Sequence, residues 1–278
     1  MEMIGIDVGG TKIRAGIVKN KRITKIITER VHAKSSKNKV LKQIIQIIEQ
    51  LFNSDVKGIG IGVPAIVDPK TSILYESVNI KSWVKVPLKK VLEKKFKVPV
   101  IINNDANCFV LGEKLFGKAK RYSNIVGLII GTGVGAGIII NRKLYSGHDG
   151  AAGEFGKIPY QNKDIEYYCS GKFFKNKFRI SGEALFQKAL KNNSSAKNIF
   201  KEYGKHLGNA LSIIINAINP EIIVIGGSVS KAYKFFGKIM RASLKKTAYK
   251  KVLNNTKITV SDKKDIAVLG AASLFYQK

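Results

Sequence analysis

Ile4-Gly5-Ile6-Asp7-Val8-Gly9-Gly10-Thr11-Lys12-Ile13-Arg14-Ala15-Gly16-Ile17-Val18 reads as a strand, a glycine turn and a second strand. Apolar, β-branched runs on either side of a glycine pair are a hairpin signature. Ile125-Val126-Gly127-Leu128-Ile129-Ile130-Gly131-Thr132-Gly133-Val134-Gly135-Ala136-Gly137-Ile138-Ile139-Ile140 restates the theme, and a third strand follows each copy, at Ile23 to Val31 and at Lys143 to Tyr145. The first copy leads into a helix at Val40 to Phe52, a buried strand at Val56 to Val63, a helix at Val86 to Phe96 and a strand at Val98 to Ile102. The second leads into a long helix at Ala196 to Ile218 and a strand at Glu221 to Ile225. Such an echo predicts an internal duplication: an α/β chain of two lobes facing each other across a cleft. Residues 1–107 form the expected small lobe and residues 108–265 the large one, with a last helix in 266–278 packing back on the first.

Composition narrows the class. A chain of 278 residues with 45% hydrophobic content can bury a sizeable core. No uncharged apolar run of about 18 residues occurs and no cleavable leader precedes the first strand, so the expectation is a cytoplasmic protein without a membrane partner. Cys108 and Cys169 have no C-x-x-C partner, which argues against a disulfide framework and a cysteine-rich zinc site. Lys and Arg number 49 against 19 acids, a formal charge of +30. The lysines are scattered from Lys12 to Lys278 without zinc-finger spacing or an aromatic RNA-binding signature, so no specific nucleic-acid partner is expected. Salt-sensitive association with polyanions is.

The glycine turns suit phosphate. Gly9 and Gly10 let backbone N–H groups approach an anion, Thr11 and Lys12 add side-chain donors, and Asp7 at the strand end could hold Mg²⁺ directly or through water. The turn is not a Walker A loop, because Thr precedes Lys and a strand follows. The run from Gly131 to Gly137 is not a dinucleotide fingerprint either, since Ile138 to Ile140 continue as strand; Thr132 and Gly133 are the candidate phosphate contacts there. Gly226-Gly227 could admit a nucleotide base or sugar against the backbone. Plain glycine hairpins and a helix-entry turn account for the same residues.

Asn104-Asp105-Ala106-Asn107 places a carboxylate where a strand gives way to the helix from about Ala106 to Phe116, a stiff mount for an acid–base group, with an amide beside it for a hydroxyl-bearing ligand. The same residue types are common helix N-caps.

Taken in order, Asp7 to Lys12, Asn104 to Asn107, Gly131 to Gly137, Gly153-Glu154-Phe155-Gly156, and Asn219-Pro220-Glu221 through Gly226-Gly227 resemble the ROK family of sugar kinases and sugar-responsive repressors, within the actin-like ATPase superfamily. The resemblance spans nearly the whole chain. It implies two actin-like (ribonuclease H-like) lobes with ATP, Mg²⁺ and a hexose between them, in a homodimer. Asp105 takes the position of the catalytic base; Asn79, Asn104, Glu154 and Glu166 take those of sugar ligands. The implied activity is ATP-dependent phosphorylation of a hexose, with the 6-hydroxyl of glucose the commonest case. N-acetylhexosamine kinase, fructokinase and a non-catalytic sugar sensor are the alternatives. The repressors carry an additional N-terminal helix-turn-helix, and with the phosphate hairpin beginning at Asp7 none is expected here. Two departures stand out: Lys157 replaces the family histidine of Glu-x-Gly-His, and Ile158 to Glu166 lacks the zinc-binding cysteines. No zinc is therefore expected. Lys157 could donate to a sugar hydroxyl, pair with Glu154, favour an acidic or acylated substrate, or point to solvent, and aromatic packing by Phe155, Tyr160, Tyr167, Tyr168, Phe173 and Phe174 is expected to fix the loop in place of metal.

Overall fold

A computed structural model describes residues 1–77, 80, 82–247 and 249–276. Asn79, expected at the sugar, lies outside the described residues. The first part of the chain runs β1 (Glu2–Val8), β2 (Lys12–Lys19), β3 (Arg22–Arg30), α1 (Lys37–Glu49), β4 (Val56–Val63), β5 (Ala65–Val67), β6 (Leu74–Ser77), α2 (Leu88–Phe96), β7 (Val100–Asn104) and α3 (Asp105–Leu115). Then come β8 (Ile125–Ile130), β9 (Val134–Ile140), β10 (Lys143–Tyr145), β11 (Pro159–Tyr160), β12 (Lys163–Asp164), α4 (Ile165–Cys169), α5 (Gly171–Phe178), α6 (Gly182–Leu190) and α7 (Ser194–Ile218). Finally β13 (Ile222–Gly226), α8 (Tyr233–Thr247), α9 (Lys250–Asn255), β14 (Lys257–Val260) and α10 (Ile266–Ala272) close the fold, with a 3₁₀ turn at Ser273–Tyr276.

Two five-stranded sheets share one plan: β3-β2-β1-β4-β7 and β10-β9-β8-β13-β14. In each, a hairpin strand pairs antiparallel with its edge neighbour, and the inner strand carries the parallel pairs: β1 with β4 and β4 with β7, β8 with β13 and β13 with β14. Burial follows this position. β4 and β13 are apolar and buried almost throughout, whereas the edge strand β3 alternates and exposes charges that blunt its free edge.

Packing divides the chain into two compact units, residues 1–123, 137–153 and 262–278 in the first and 124–136 and 154–261 in the second. In the first, α10 packs on β1, β4 and α3. The approach is close at Gly60, where a Cβ would stand 1.9 Å from the Ala271 carbonyl oxygen, so only glycine allows the helix to seat there. In the second, the 25-residue α7 packs along α8. Among the described residues no helix is long and apolar enough to cross a membrane.

Candidate active site

Asn104 ends β7 and caps α3: its Oδ1 accepts from Ala106 N at 2.8 Å, and its Nδ2 donates to the Ala65 carbonyl at 3.3 Å. Asp105 is half-buried in the first turn, and its Oδ1 accepts from Ala106 N at 2.9 Å. Capping and presentation of the carboxylate thus occur together. Asn107, one turn on from Asn103, donates to Asn103 Oδ1 at 2.8 Å, while its own buried Oδ1 has no hydrogen-bond partner among the described residues. The motif contains Asn107, but only packing shows this open acceptor.

Asp7 is the penultimate residue of β1, opposite Arg14 in β2, and the Arg14 guanidinium pairs with Asp265 at the start of α10. Burial pushes the Asp7 carboxyl up to about 6, the Arg14 charge opposes this, and Asp265 adds to it. The buried Cys108 thiol is pushed well up by burial and then by the charges of Asp7 and Asp105. Both carboxylates therefore lie within electrostatic reach of one side chain in the first unit. In the adjoining turn Gly9 N donates to the Lys12 carbonyl at 2.9 Å, with Gly10 half-buried and Thr11 and Lys12 exposed.

A carboxyl whose pKa is raised on folding holds its proton more tightly in the folded chain, so its stabilising contribution is complete below about 4 and is lost as pH rises through about 6. With divalent cations chelated, Asp7→Asn should therefore stabilise the protein at pH 8 by roughly 1 to 3 kcal/mol and change little at pH 4. The residue keeps some solvent contact, which favours the lower end; urea midpoints at the two pH values measure it.

In the second unit the turn between β8 and β9 closes through Gly131 N to the Gly133 carbonyl at 3.0 Å and is clamped by the α4–α5 junction. Gly171 N donates to the Gly131 carbonyl at 2.8 Å, and Glu166 Oε2 accepts from Val134 N at 3.1 Å. Glu166 is buried, and its Oε1 accepts from Lys172 Nζ at 2.6 Å, so both oxygens are engaged within the protein. Glu154, half-buried at the head of the Phe155–Lys157 turn, has its carboxyl pushed up by burial, lowered by Lys157 and raised by Glu166. Lys157 itself is exposed.

Beside this turn lies a cavity of about 290 Å³. Gly131 and Thr132 form one wall, Phe186 and Val229 supply apolar surface, and Lys172, Lys175 and Lys231 bring three cationic side chains against one carboxylate, Glu183. Apolar walls with a net excess of positive charge suit a flat, anionic ligand. The segment after Gly227 contributes Ser228 and Val229 to the wall; Gly226 is buried in β13, and Gly227 makes the bend at φ +87°. Sequence reasoning singled out none of Lys172, Lys175, Phe186 or Lys231 as ligand-facing. The available signal was Ser181, which caps α6 by accepting from Ala184 N at 3.1 Å and so turns the chain along the cavity.

A model of the ROK family matches residues 3–278. The chain belongs to the ROK family. It is 30% identical to the N-acetyl-D-glucosamine kinase of Pasteurella multocida over 99% of both chains, and 30% identical to the xylose repressor of Bacillus spizizenii over 98% of this chain and 76% of the repressor. The crystal structure of a ROK family glucokinase from Streptomyces griseus in complex with glucose and AMPPNP covers 99% of both chains at a TM-score of 0.87 and 26% identity. The two-sheet α/β architecture is thus the actin-like fold of ROK sugar kinases.

Of the site residues expected in this ROK chain, the first unit holds Asp7, Gly9, Gly10, Thr11, Lys12, Asn104 and Asp105, and the second holds Thr132, Gly133, Glu154, Lys157, Glu166, Gly226 and Gly227. Among the described residues no group of three or more His, Cys, Asp or Glu side chains could hold a metal ion. Where the family resemblance implies zinc, aromatic rings pack. Tyr160 stands edge-on to Tyr168 at 5.4 Å, Tyr168 lies 4.7 Å from the His206 ring, and Phe173 contacts Phe174, Phe178, Tyr203 and His206 at 5.4 to 5.9 Å. The Tyr160 hydroxyl lies 3.3 Å from His206 Nδ1 and accepts from Asn209 Nδ2 at 3.0 Å, tying β11 to α7.

Proposed function

We propose that this ROK protein is an ATP-dependent hexose kinase whose acceptor is the 6-hydroxyl of glucose. The observation that carries the reading is Asp105 at the first turn of α3, fixed by the Asn104 cap and within electrostatic reach of the same thiol as Asp7. Sequence similarity to sugar kinases and structural similarity to a glucokinase holding glucose and AMPPNP support it.

Phosphoryl transfer through a loose transition state needs mainly positioning and charge stabilisation. Asp105 orients the acceptor hydroxyl and accepts its proton. Glu154 and Glu166 accept hydrogen bonds from sugar hydroxyls, and Lys157 donates to one. Backbone N–H groups of the two glycine turns hold the phosphates, with Thr11, Lys12 and Thr132 beside them, and the apolar wall of the cavity takes the base. Asp7 fits Mg²⁺, a hard cation that takes carboxylate oxygen and phosphate ligands, because a cation would relieve the cost of burying that carboxylate. When bound, the ion neutralises phosphate charge.

The test is ADP formation across glucose, mannose, fructose, N-acetylglucosamine, N-acetylmannosamine and glucuronate. Sugar-dependent ADP release, greatest with glucose, is expected. No release with any sugar, alongside measurable sugar binding, would make the protein a sensor and end the kinase reading.

A further inference from the structure

We infer that the Lys172 ammonium is shared between Glu166 and the phosphates of the donor, so that donor and acceptor binding strengthen each other. The inference rests on the kinase reading and adds a positioning residue that it lacks.

Lys172 occupies a boundary. Its Nζ lies 2.6 Å from Glu166 Oε1, yet its side chain is 44% exposed against 9% for the glutamate, and it lines the cavity next to Gly131 and Thr132. Glu166 does not move with it: Oε2 is fixed by Val134 N, and the close approach of Gly133, where a Cβ would stand 2.5 Å from that oxygen, leaves the carboxylate no room on that side. The pair therefore joins a fixed anion to a swinging cation. A lysine ammonium is a compact point charge on a four-carbon stem, able to turn between two anions.

A phosphate beside Thr132 competes with Glu166 for that charge. As the ammonium turns toward phosphate, Glu166 Oε1 loses its partner, and a buried carboxylate oxygen without a partner is costly. A sugar hydroxyl donating to Oε1 removes the cost. Read in reverse, a hydroxyl already on Glu166 loosens its hold on Lys172 and frees the charge for the donor. Linkage requires the two effects to be equal. A tie that only braced the α4–α5 junction would act on folding and leave ligand affinity alone.

The two readings separate by titration with Mg²⁺-AMPPNP. Glu166→Gln keeps an oxygen to accept from Val134 N but releases Lys172, and should bind AMPPNP about three- to tenfold tighter; Lys172→Met should bind it about tenfold weaker, and Lys172→Arg should recover most of the loss. The double variant should match Lys172→Met, because the glutamate acts only through the lysine. In the wild type, the hexose with the highest turnover in the panel should tighten AMPPNP about fivefold, an effect absent from Lys172→Met. If Glu166→Gln melts like the wild type and binds AMPPNP no tighter, the inference is wrong. Lowered melting in both variants with unchanged affinity would equally overturn it in favour of a brace. Failure of the kinase reading shows separately, as absent ADP formation, because the sugar-free AMPPNP titrations do not depend on turnover.

Discussion

Asp105→Asn should lower kcat by about 10²- to 10⁴-fold, the range a general base contributes, while sugar affinity stays near the wild-type value. Asparagine is nearly isosteric and its amide oxygen can still accept from Ala106 N, the bond that Asp105 Oδ1 makes at 2.9 Å, so the first turn of α3 keeps its geometry. What is lost is the ability to take the hydroxyl proton. The charge removed sits at a helix N-terminus, where a carboxylate contributes about 0.3 to 1 kcal/mol, so unfolding should shift by no more than that. Asn104→Ala gives the contrast. It removes the side-chain cap and should cost about 0.5 to 2 kcal/mol of stability, with KM rising as the turn loosens. A near-normal kcat in Asp105→Asn, measured by ADP release at saturating sugar, would remove this residue from the role of base.

The hairpin that opens each sheet could be read from the chain because the signals there are local and repeated. β1 and β8 are short Ile/Val runs ended by glycine, and each is followed by its hairpin partner, which fixes antiparallel pairing before any long-range contact is considered. Elements that depend on distant partners were not legible. β14, four residues with two apolar ones, is a strand because β13 offers it a parallel edge after α8 and α9. The β5–β6 hairpin was also missed, although Asp68 marks its turn by accepting from Lys70 N and Thr71 N. Val86, read as the start of a helix, instead bridges to Leu74, and α2 begins at Leu88 after Pro87. The candidate site divides the same way. Asp105 and the glycine turns carry their chemistry in consecutive residues. Glu166 and Lys172 are six apart across the break at Ser170, where α4 stops and α5 starts, so neither helical spacing nor strand alternation brings them together on paper.

Phe173→Ala should cost about 3 to 5 kcal/mol of unfolding free energy, the usual penalty for emptying a fully enclosed phenylalanine site. Phe173 is completely buried and meets Phe174, Phe178, Tyr203 and His206, so four rings lose a partner at once and the helices carrying them cannot collapse far to refill the space. The consequence for function runs through position. Phe173 follows Lys172 on α5, and its neighbours His206 and Tyr203 hold Tyr160 and the Cys169 carbonyl, the latter by a Tyr203 hydroxyl bond of 2.7 Å. Tyr160 belongs to the β11–β12 hairpin between Glu154 and Glu166, so loosening the cluster frees the two carboxylates assigned to the sugar. Sugar affinity should therefore fall together with stability, whereas Phe96→Ala, in the first unit, should lower stability and spare sugar affinity in the surviving folded fraction. If rings rather than metal hold this loop, exhaustive chelation of the wild type will leave its melting curve unchanged, and elemental analysis will find no stoichiometric zinc. A chelator-induced loss of stability as large as that of Phe173→Ala would mean that an ion shares the task.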